Sequence, residues 1–346
     1  MNTILRRSLL LLAALVISLT AVSAAFAESG WRIFESIADL TGPDAAKNGD
    51  LVMRRDLYHG VVDGMEFAVT EAGYDGLSLF LRCTYRTPEA ESAGESAAEE
   101  DENNWSVGWW NDQFWINGKG VDMAGGASEV YSGYGFPGEL IVTDFLPLSK
   151  QGITLSGRVT ISLPLGKKPA SLSFSRKDNP EKFDEKGLLL PDEGVVTFEL
   201  DTGDAASLVR VFRPEQETDL PGFSAKVEEA DFSPLMTYIF LDLFIKPGAY
   251  EAFIAENGEG ATDENGDMMW EYTLNDIFSS WLADLKLVDG NGTLLFSPEQ
   301  EFEYENDTEK AEFLFPYIDV LPETLYLAPY DWETEQVDMS RAVRVI

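Results

Sequence analysis

The catalytic chemistry open to this 346-residue chain is limited by its single histidine, His59, and its single cysteine, Cys83. A Ser-His-Asp arrangement would have to use His59, and no Gly-x-Ser-x-Gly turn is present. One histidine and one cysteine also cannot supply the ligands of a typical zinc site. We therefore predict no enzymatic activity, no metal site and no cofactor. His59 is expected in an exposed turn.

Carboxylates are abundant, with 61 Asp and Glu residues in the chain. A pair of the kind used by glycosidases stays open, but no two carboxylates stand out. Residues 263–267 begin like a calcium loop, with acids at alternate positions. Met268 occupies the place of the required glycine and Leu274 that of the final acid. A solvated acidic loop is the favoured interpretation, and calcium binding of another kind stays open.

The strongest candidate for a binding site is a cluster of indole rings formed by Trp105, Trp109, Trp110 and Trp115. Neighbouring side chains of a strand point to opposite faces, so Trp109 and Trp110 cannot both enter one core. Exposed indoles stack on sugars or anchor protein partners. We predict ligand binding at these four residues, with Trp110 exposed. The alternative is that the rings fill the core.

The segments that would position these residues occur in two similar copies along the sequence. Three segments recur in the same order: 67–77 as 223–235, 112–120 as 284–292, and 169–174 as 322–327. Such self-similarity is typical of tandem copies of one structural unit.

Short alternating segments with turn residues between them predict antiparallel strands. The candidates are 65–70, 77–86, 113–117, 140–145, 154–163, 170–175 and 195–200, followed by 207–212, 223–228, 237–245, 284–288, 293–296, 311–315, 324–327 and 342–346. Short helices are expected within 31–40 and 274–285. Cys83 shares the parity of the inward residues of its strand and is expected to be buried. The predicted fold is all-β, with two tandem immunoglobulin-like antiparallel β-sandwiches and minor helix.

The amino terminus predicts export. Arg6 and Arg7 precede an apolar run, and the small residues of Ala25-Phe26-Ala27 mark a cleavage site before Glu28. The predicted organisation is a signal peptide at 1–27, a lead segment at 28–60, a first domain at 61–203 with an acidic loop at 88–104, and a second domain at 204–346. With one cysteine, no intrachain disulfide can form. After cleavage no apolar segment of membrane-spanning length remains.

The charge of the chain limits its partners. It has 25 basic and 61 acidic residues and a net charge of −36. Such a chain repels nucleic acid and anionic lipid headgroups. The remaining expected partners are a cell-wall component or a surface protein.

Three strings in the first half resemble a known family: Asn48-Gly49, then 61–67, then Glu71-Ala72-x-Tyr74-Asp75-Gly76 leading into an alternating strand. They are similar to uncharacterised immunoglobulin-like extracytoplasmic domains of Gram-positive bacteria, often found on membrane-anchored proteins similar to anti-sigma factors. The resemblance implies an immunoglobulin-like fold and a place outside the cytoplasm. It implies no catalytic residue.

These observations favour a secreted or surface-located, non-enzymatic protein with a binding or structural role. Two alternatives stay open. One is a carbohydrate-binding module or glycan-active enzyme that uses the aromatic cluster. The other is an extracytoplasmic sensor domain anchored in the membrane by an uncleaved signal segment.

Overall fold

The computed structural model describes residues 30–37, 41–42, 44–62, 65–86, 105–107, 113–122, 127–132, 139–167, 195–258, 260–262, 268–297, 304–307 and 310–346. The predicted signal peptide at 1–27 and the whole acidic loop at 88–104 lie outside these residues. The chain divides into two compact units. The first contains residues up to Ala38 together with Ala46–Val209, and the second contains Asp39–Ala45 together with Arg210–Ile346.

The first unit is built from antiparallel strands with two one-turn helices, α1 and α2. Its strands are β1 Met53–Val62, β2 Met65–Tyr74, β3 Ser78–Arg86, β4 Trp105–Val107, β5 Gln113–Ile116, β6 Lys119–Asp122, β7 Ala127–Ser132, β8 Glu139–Pro147, β9 Arg158–Lys167 and β10 Val195–Asp201. Helix α1 is Ile33–Ser36 and α2 is Gly49–Val52. One sheet has the order β1-β2-β3-β8-β7. The other has the order β10-β9-β5-β6, with β4 also paired to β9.

The alternation predicted for the strands at 154–163 and 195–200 is confirmed by burial in β9 and β10. Val159, Ile161 and Leu163 of β9 are buried, and so are the alternate residues of β10 that pair with this strand. Cys83 is fully buried in β3, as expected from its parity. A hairpin turn at Asn117-Gly118 joins β5 to β6, with both residues at positive φ.

The second unit repeats this design and adds two longer helices. Its elements are β11 Arg210–Phe212, β12 Glu217–Leu220, β13 Phe223–Phe232, β14 Met236–Ile245, α3 Ala249–Asn257, β15 Gly260–Thr262, β16 Met268–Glu271, α4 Asp276–Ala283, β17 Leu285–Asp289, β18 Tyr304–Asp307, β19 Lys310–Pro316, β20 Leu325–Asp331, β21 Gln336–Val337 and β22 Val343–Arg344. One sheet has the order β11-β13-β14-β19-β18, with β12 also on β13. In another sheet, β20 pairs with β17, β21 and β22, and β15 pairs with β16 alone.

One apolar core joins the two larger sheets of the second unit. It includes Val227 and Leu241 from the first sheet and Leu287 and Leu327 from the second. Helix α4 contributes Phe278 and Trp281, whose rings meet the ring of Phe223 edge-on with centroids 5.9 and 5.4 Å away. The two sheets therefore face each other across a shared interior, which is the arrangement of a β-sandwich.

The strand orders of the two units match element by element. Strands β2, β3, β8 and β7 of the first sheet occupy the places of β13, β14, β19 and β18 in the second unit. In the other sheet, β10, β9 and β5 correspond to β22, β20 and β17. The first two sequence echoes fall on these matching strands. The third does not: residues 169–174 lie outside the described chain, and the strand that matches β20 is β9.

An extra residue interrupts the central hairpin of both units at the matching position. In the first, Val69 faces Cys83 and Glu71 faces Arg82, so Thr70 has no opposite residue. In the second, the same shift between Val227 and Glu229 leaves Glu228 as the extra residue. Each is a β-bulge, which reverses the parity of the residues that follow it.

The turn after each bulged strand is fixed by the side chain at its first position. The Asp75 carboxylate accepts hydrogen bonds from the backbone N–H groups of Leu77 and Ser78 at 2.9 and 2.7 Å. In the second unit the hydroxyl of Ser233 accepts from Leu235 and Met236 at 3.2 and 2.9 Å. Both turns therefore use a short polar side chain to replace a backbone acceptor.

The all-β fold predicted from the sequence is confirmed, with several elements added. Strand β1 was assigned to a lead segment at 28–60, but it pairs along its length with β2. The expected strand 293–296 is reduced to a single bridge between Leu294 and Val288. Helix α3 was not predicted at all. Among the described residues, no helix has the length and apolar character needed to cross a membrane.

Candidate functional site

The predicted aromatic cluster is only partly visible in the described residues. Trp115 lies on β5 opposite Ser162 of β9 and is 4% exposed, so its ring is interior rather than on the surface. Trp105 lies on β4, but its side chain is outside the description. Trp109 and Trp110 also lie outside the described residues. Ligand binding at these three remains a prediction.

The other residues singled out for chemistry have ordinary positions. His59 is exposed as expected, but it lies within strand β1 and not in a turn. Residues 263–267, the segment that begins like a calcium loop, fall outside the described chain. Within the part of the chain that the structure describes, no group of three or more His, Cys, Asp and Glu side chains is placed to hold a metal ion.

Glu71 fastens the amino-terminal segment to the outer face of the first unit. Immediately after the bulge, its side chain points away from the core, yet the residue is only 5% exposed. Its two carboxylate oxygens accept hydrogen bonds from the backbone N–H groups of Arg32 and Ile33 at 3.0 and 2.6 Å. These donors open helix α1, where backbone N–H groups have no partner within the helix. The bulge therefore supplies the acceptor that holds this segment.

An arginine stacked on an indole lies beside this contact. The guanidinium carbon of Arg55 is 3.9 Å from the centroid of the Trp31 ring, and its Nη2 donates to the carbonyl of Gly30 at 2.6 Å. The Trp31 Nε1 donates to the Asp50 carboxylate at 2.9 Å. The Arg55 Nε is 3.9 Å from Glu71. The Arg55 guanidinium thus stacks its face on an indole and directs its N–H groups to oxygen acceptors.

The matching position of the second unit holds a group of charged side chains instead. Glu229 pairs with Arg213, and Asp231 lies two residues further along the same strand. Asp231 is 4% exposed and its Oδ1 has no hydrogen-bond partner. Burial, followed by the charge of Glu229, raises the pKa of Asp231 to about 7, while Arg213 opposes the shift. This carboxyl therefore changes its charge near neutral pH.

The exposed aromatic surface of the second unit is centred on Trp332, at the β20–β21 hairpin. Trp332 is 50% exposed. Its ring meets that of Tyr330 edge-on, with centroids 5.0 Å apart and an interplanar angle of 83°. Its Nε1 donates to the Asp284 carboxylate at 3.2 Å, and the Lys286 Nζ lies 5.2 Å from the ring centroid. We name these four residues the Trp332 platform.

Local hydrogen bonds fix the hairpin that carries the Trp332 platform. The Asp331 carboxylate accepts from the backbone N–H groups of Glu333 and Thr334 at 2.8 and 3.1 Å, and these bonds lower the pKa of Asp331. Glu335 completes the turn at a φ of 56°. The backbone N–H of Tyr330 donates to the carbonyl of Asp284 at 2.9 Å. The indole is therefore presented on a closed turn and tied to strand β17.

Sequence reasoning missed the Trp332 platform because it searched for clustered indoles. Trp332 stands alone in the chain, within Asp331-Trp332-Glu333-Thr334-Glu335. The available signal was a large apolar residue inside a polar turn, where no core position is expected. Asp284 and Lys286 come from a strand almost 50 residues earlier, so their proximity needed the sheet pairing.

Comparison with known proteins gives one distant structural likeness. No protein-family model and no curated protein matches the chain. A solved structure described as a conserved domain protein from Bacillus anthracis is similar over 86% of this chain and 90% of its own, at 10% sequence identity and a TM-score of 0.44.

We predict that Asp231 makes the second unit less stable as the pH rises. A folded-state pKa of about 7 against an ordinary value of 3.8 means that the folded state binds the proton more tightly. The contribution of Asp231 to the free energy of unfolding then falls between about pH 4 and pH 7 and levels off above. Asp231→Asn should remove this decline, measured by urea unfolding at several pH values.

The matched control for this experiment is Asp319→Asn, which changes an exposed carboxylate of the same unit. That variant should keep the decline of the parent protein. An Asp231→Asn protein with the parent's pH dependence would contradict the assignment.

Proposed function

We propose that this chain is an exported, non-enzymatic binding protein of the cell surface, built from two tandem immunoglobulin-like domains of Gram-positive type. The strand orders support the immunoglobulin-like assignment. In that fold, strands A, B, E and D form one sheet, and strands C, F and G form the other. Strands β2, β3, β8 and β7 follow the first order, and β5, β9 and β10 follow the second.

The position of Trp115 also supports this assignment. Immunoglobulin domains carry a buried tryptophan on strand C. Trp115 is 4% exposed and lies on β5, the strand that takes the place of C. The disulfide of antibody domains has no counterpart here, because Cys83 is the single cysteine.

The observation that carries a binding role is the Trp332 platform. A half-exposed indole costs free energy in water unless a partner covers it, and tryptophan is enriched at the energetic centres of interfaces. This ring is held in place by Tyr330 and Asp284 before any partner arrives. A fixed ring loses little conformational entropy on binding. The partners that we propose are a cell-wall component or a surface protein.

Export predicts a new amino terminus. When the chain is produced in a Gram-positive host, the mature protein should begin at Glu28, because signal peptidase cleaves after small residues such as Ala25 and Ala27. Amino-terminal sequencing of protein from the medium and the cell wall would show this. An intact amino terminus in the membrane fraction would contradict cleavage and would favour the membrane-anchored sensor.

Surface binding predicts that the protein adsorbs to isolated cell envelopes through Trp332. Trp332→Ala should weaken adsorption about tenfold, the loss typical of an interface centre. Phe244→Ala is the matched control, since Phe244 is an equally exposed aromatic residue of the same unit at 50%. Envelope pull-down at a series of protein concentrations measures the effect. Adsorption unchanged by Trp332→Ala, or lost equally with Phe244→Ala, would contradict a role for the platform.

The second candidate function is glycan binding. The observation that favours it is the same exposed indole next to carboxylates, because sugar rings stack on indoles and their hydroxyl groups donate to carboxylates. Envelopes stripped of protein would retain binding if the ligand is a glycan. Loss of binding on protease treatment would assign the ligand to a surface protein.

A further inference from the structure

We infer that the Trp332 platform binds an arginine side chain presented by a basic segment of a protein partner. This inference rests on the proposed surface-binding function and names the chemistry of its partner. It is carried by a comparison within the chain, because the first unit contains an indole in a similar hydrogen-bonding environment that already holds a guanidinium.

The two indoles share one feature, a hydrogen bond from Nε1 to a carboxylate. Trp31 donates to Asp50 at 2.9 Å, and Trp332 donates to Asp284 at 3.2 Å. Donation to a negative acceptor shifts electron density into the ring, which strengthens the attraction of its face for a cation. Both rings are therefore prepared for a positively charged partner.

The two indoles differ in what covers them. Trp31 is 6% exposed and has the guanidinium of Arg55 stacked 3.9 Å from its centroid. Trp332 is 50% exposed, and the Lys286 Nζ lies 5.2 Å from its ring centroid. The Trp332 ring therefore already attracts one cation of its own unit and still offers accessible surface for another.

The charge around Trp332 suits a guanidinium. Asp331, Glu333 and Glu335 of the same hairpin are exposed. Three carboxylates on one turn supply acceptors for the N–H groups of an arginine that stacks on the ring. At −36 the whole chain attracts basic partners over longer distances.

Arginine fits this site better than lysine for a geometric reason. A guanidinium is planar, so it can lie flat on the indole while its edge donates to carboxylates, as Arg55 does with Trp31 and Gly30. An ammonium is a compact, strongly hydrated point charge and gains less from the ring face.

The test is a titration of the full chain with a capped Gly-Arg-Gly-Arg-Gly peptide at about 0.15 M salt, where long-range attraction is screened beyond about 8 Å. The chain is labelled with 5-fluorotryptophan, and the ¹⁹F resonance of Trp332 is the one absent from Trp332→Phe. This resonance should shift on addition of the peptide. A peptide with the neutral analogue citrulline should bind about three- to thirtyfold more weakly, the range of a cation–π contact.

Variants separate a specific site from general attraction to an acidic protein. Trp332→Ala should weaken binding of the arginine peptide over the same range. Trp332→Phe should retain part of the binding, and Phe244→Ala should retain all of it. The double variant Glu333→Gln with Glu335→Gln should weaken binding of the arginine peptide more than binding of the citrulline peptide. Equal binding of both peptides, or equal binding by parent and Trp332→Ala, would overturn the inference.

The envelope experiment distinguishes failure of this inference from failure of the proposed function. If Trp332→Ala reduces envelope adsorption but the arginine peptide leaves the Trp332 resonance in place, the surface is functional and its ligand is not an arginine. If a neutral polysaccharide shifts the Trp332 resonance and the arginine peptide does not, the ligand of the platform is a glycan. If neither adsorption nor peptide binding depends on Trp332, the platform has no binding role and the arginine inference falls with it.

Discussion

Strand β2 of the first unit and its counterpart β13 of the second must bury residues of both parities on one face of the sheet, and the β-bulge is the feature that permits this. In β2, Phe67 and Val69 face the core before the bulge, and Ala72 and Tyr74 face it afterwards. A regular strand alternates strictly, so without Thr70 the second pair would point away from the first. The extra residue absorbs the change of parity, and β13 solves the same problem with Glu228.

The same bulge decides which groups reach the outer face, and there the two units have diverged. Glu71 lies just after the bulge, and its carboxylate accepts hydrogen bonds from the backbone of the amino-terminal segment. The matching Glu229 pairs with Arg213, and burial together with the charge of Glu229 raises the pKa of the nearby Asp231. The second unit also presents an exposed indole on the other sheet, where the β20–β21 hairpin carries Trp332. One repeated scaffold thus supports a covered indole in the first unit and an accessible one in the second.

The sequence predicted the parts of the fold that depend on regular alternation and strong turns. β9 and β10 alternate, and Asn117-Gly118 specifies its own hairpin. β1 escaped prediction because it is largely exposed and has an irregular register near Asp56, so its place depends on pairing with β2. The candidate site was harder to predict from the sequence than the fold. Indoles close together in sequence suggested one surface, yet Trp115 is interior, and the exposed ring of Trp332 depends on Asp284, which only the sheet brings near.

The most direct measurement of this account deletes the bulge residue from one unit at a time. Hydrogen exchange followed by mass spectrometry would compare the parent with a protein lacking Thr70 and one lacking Glu228. Each deletion should abolish amide protection in the sheet that contained the bulge, because Tyr74 or Phe232 would be forced out of the core. The sheet that retains its bulge serves as the internal reference. A Thr70 deletion with the parent's protection in β2 and β3 would contradict the claim that the bulge is required.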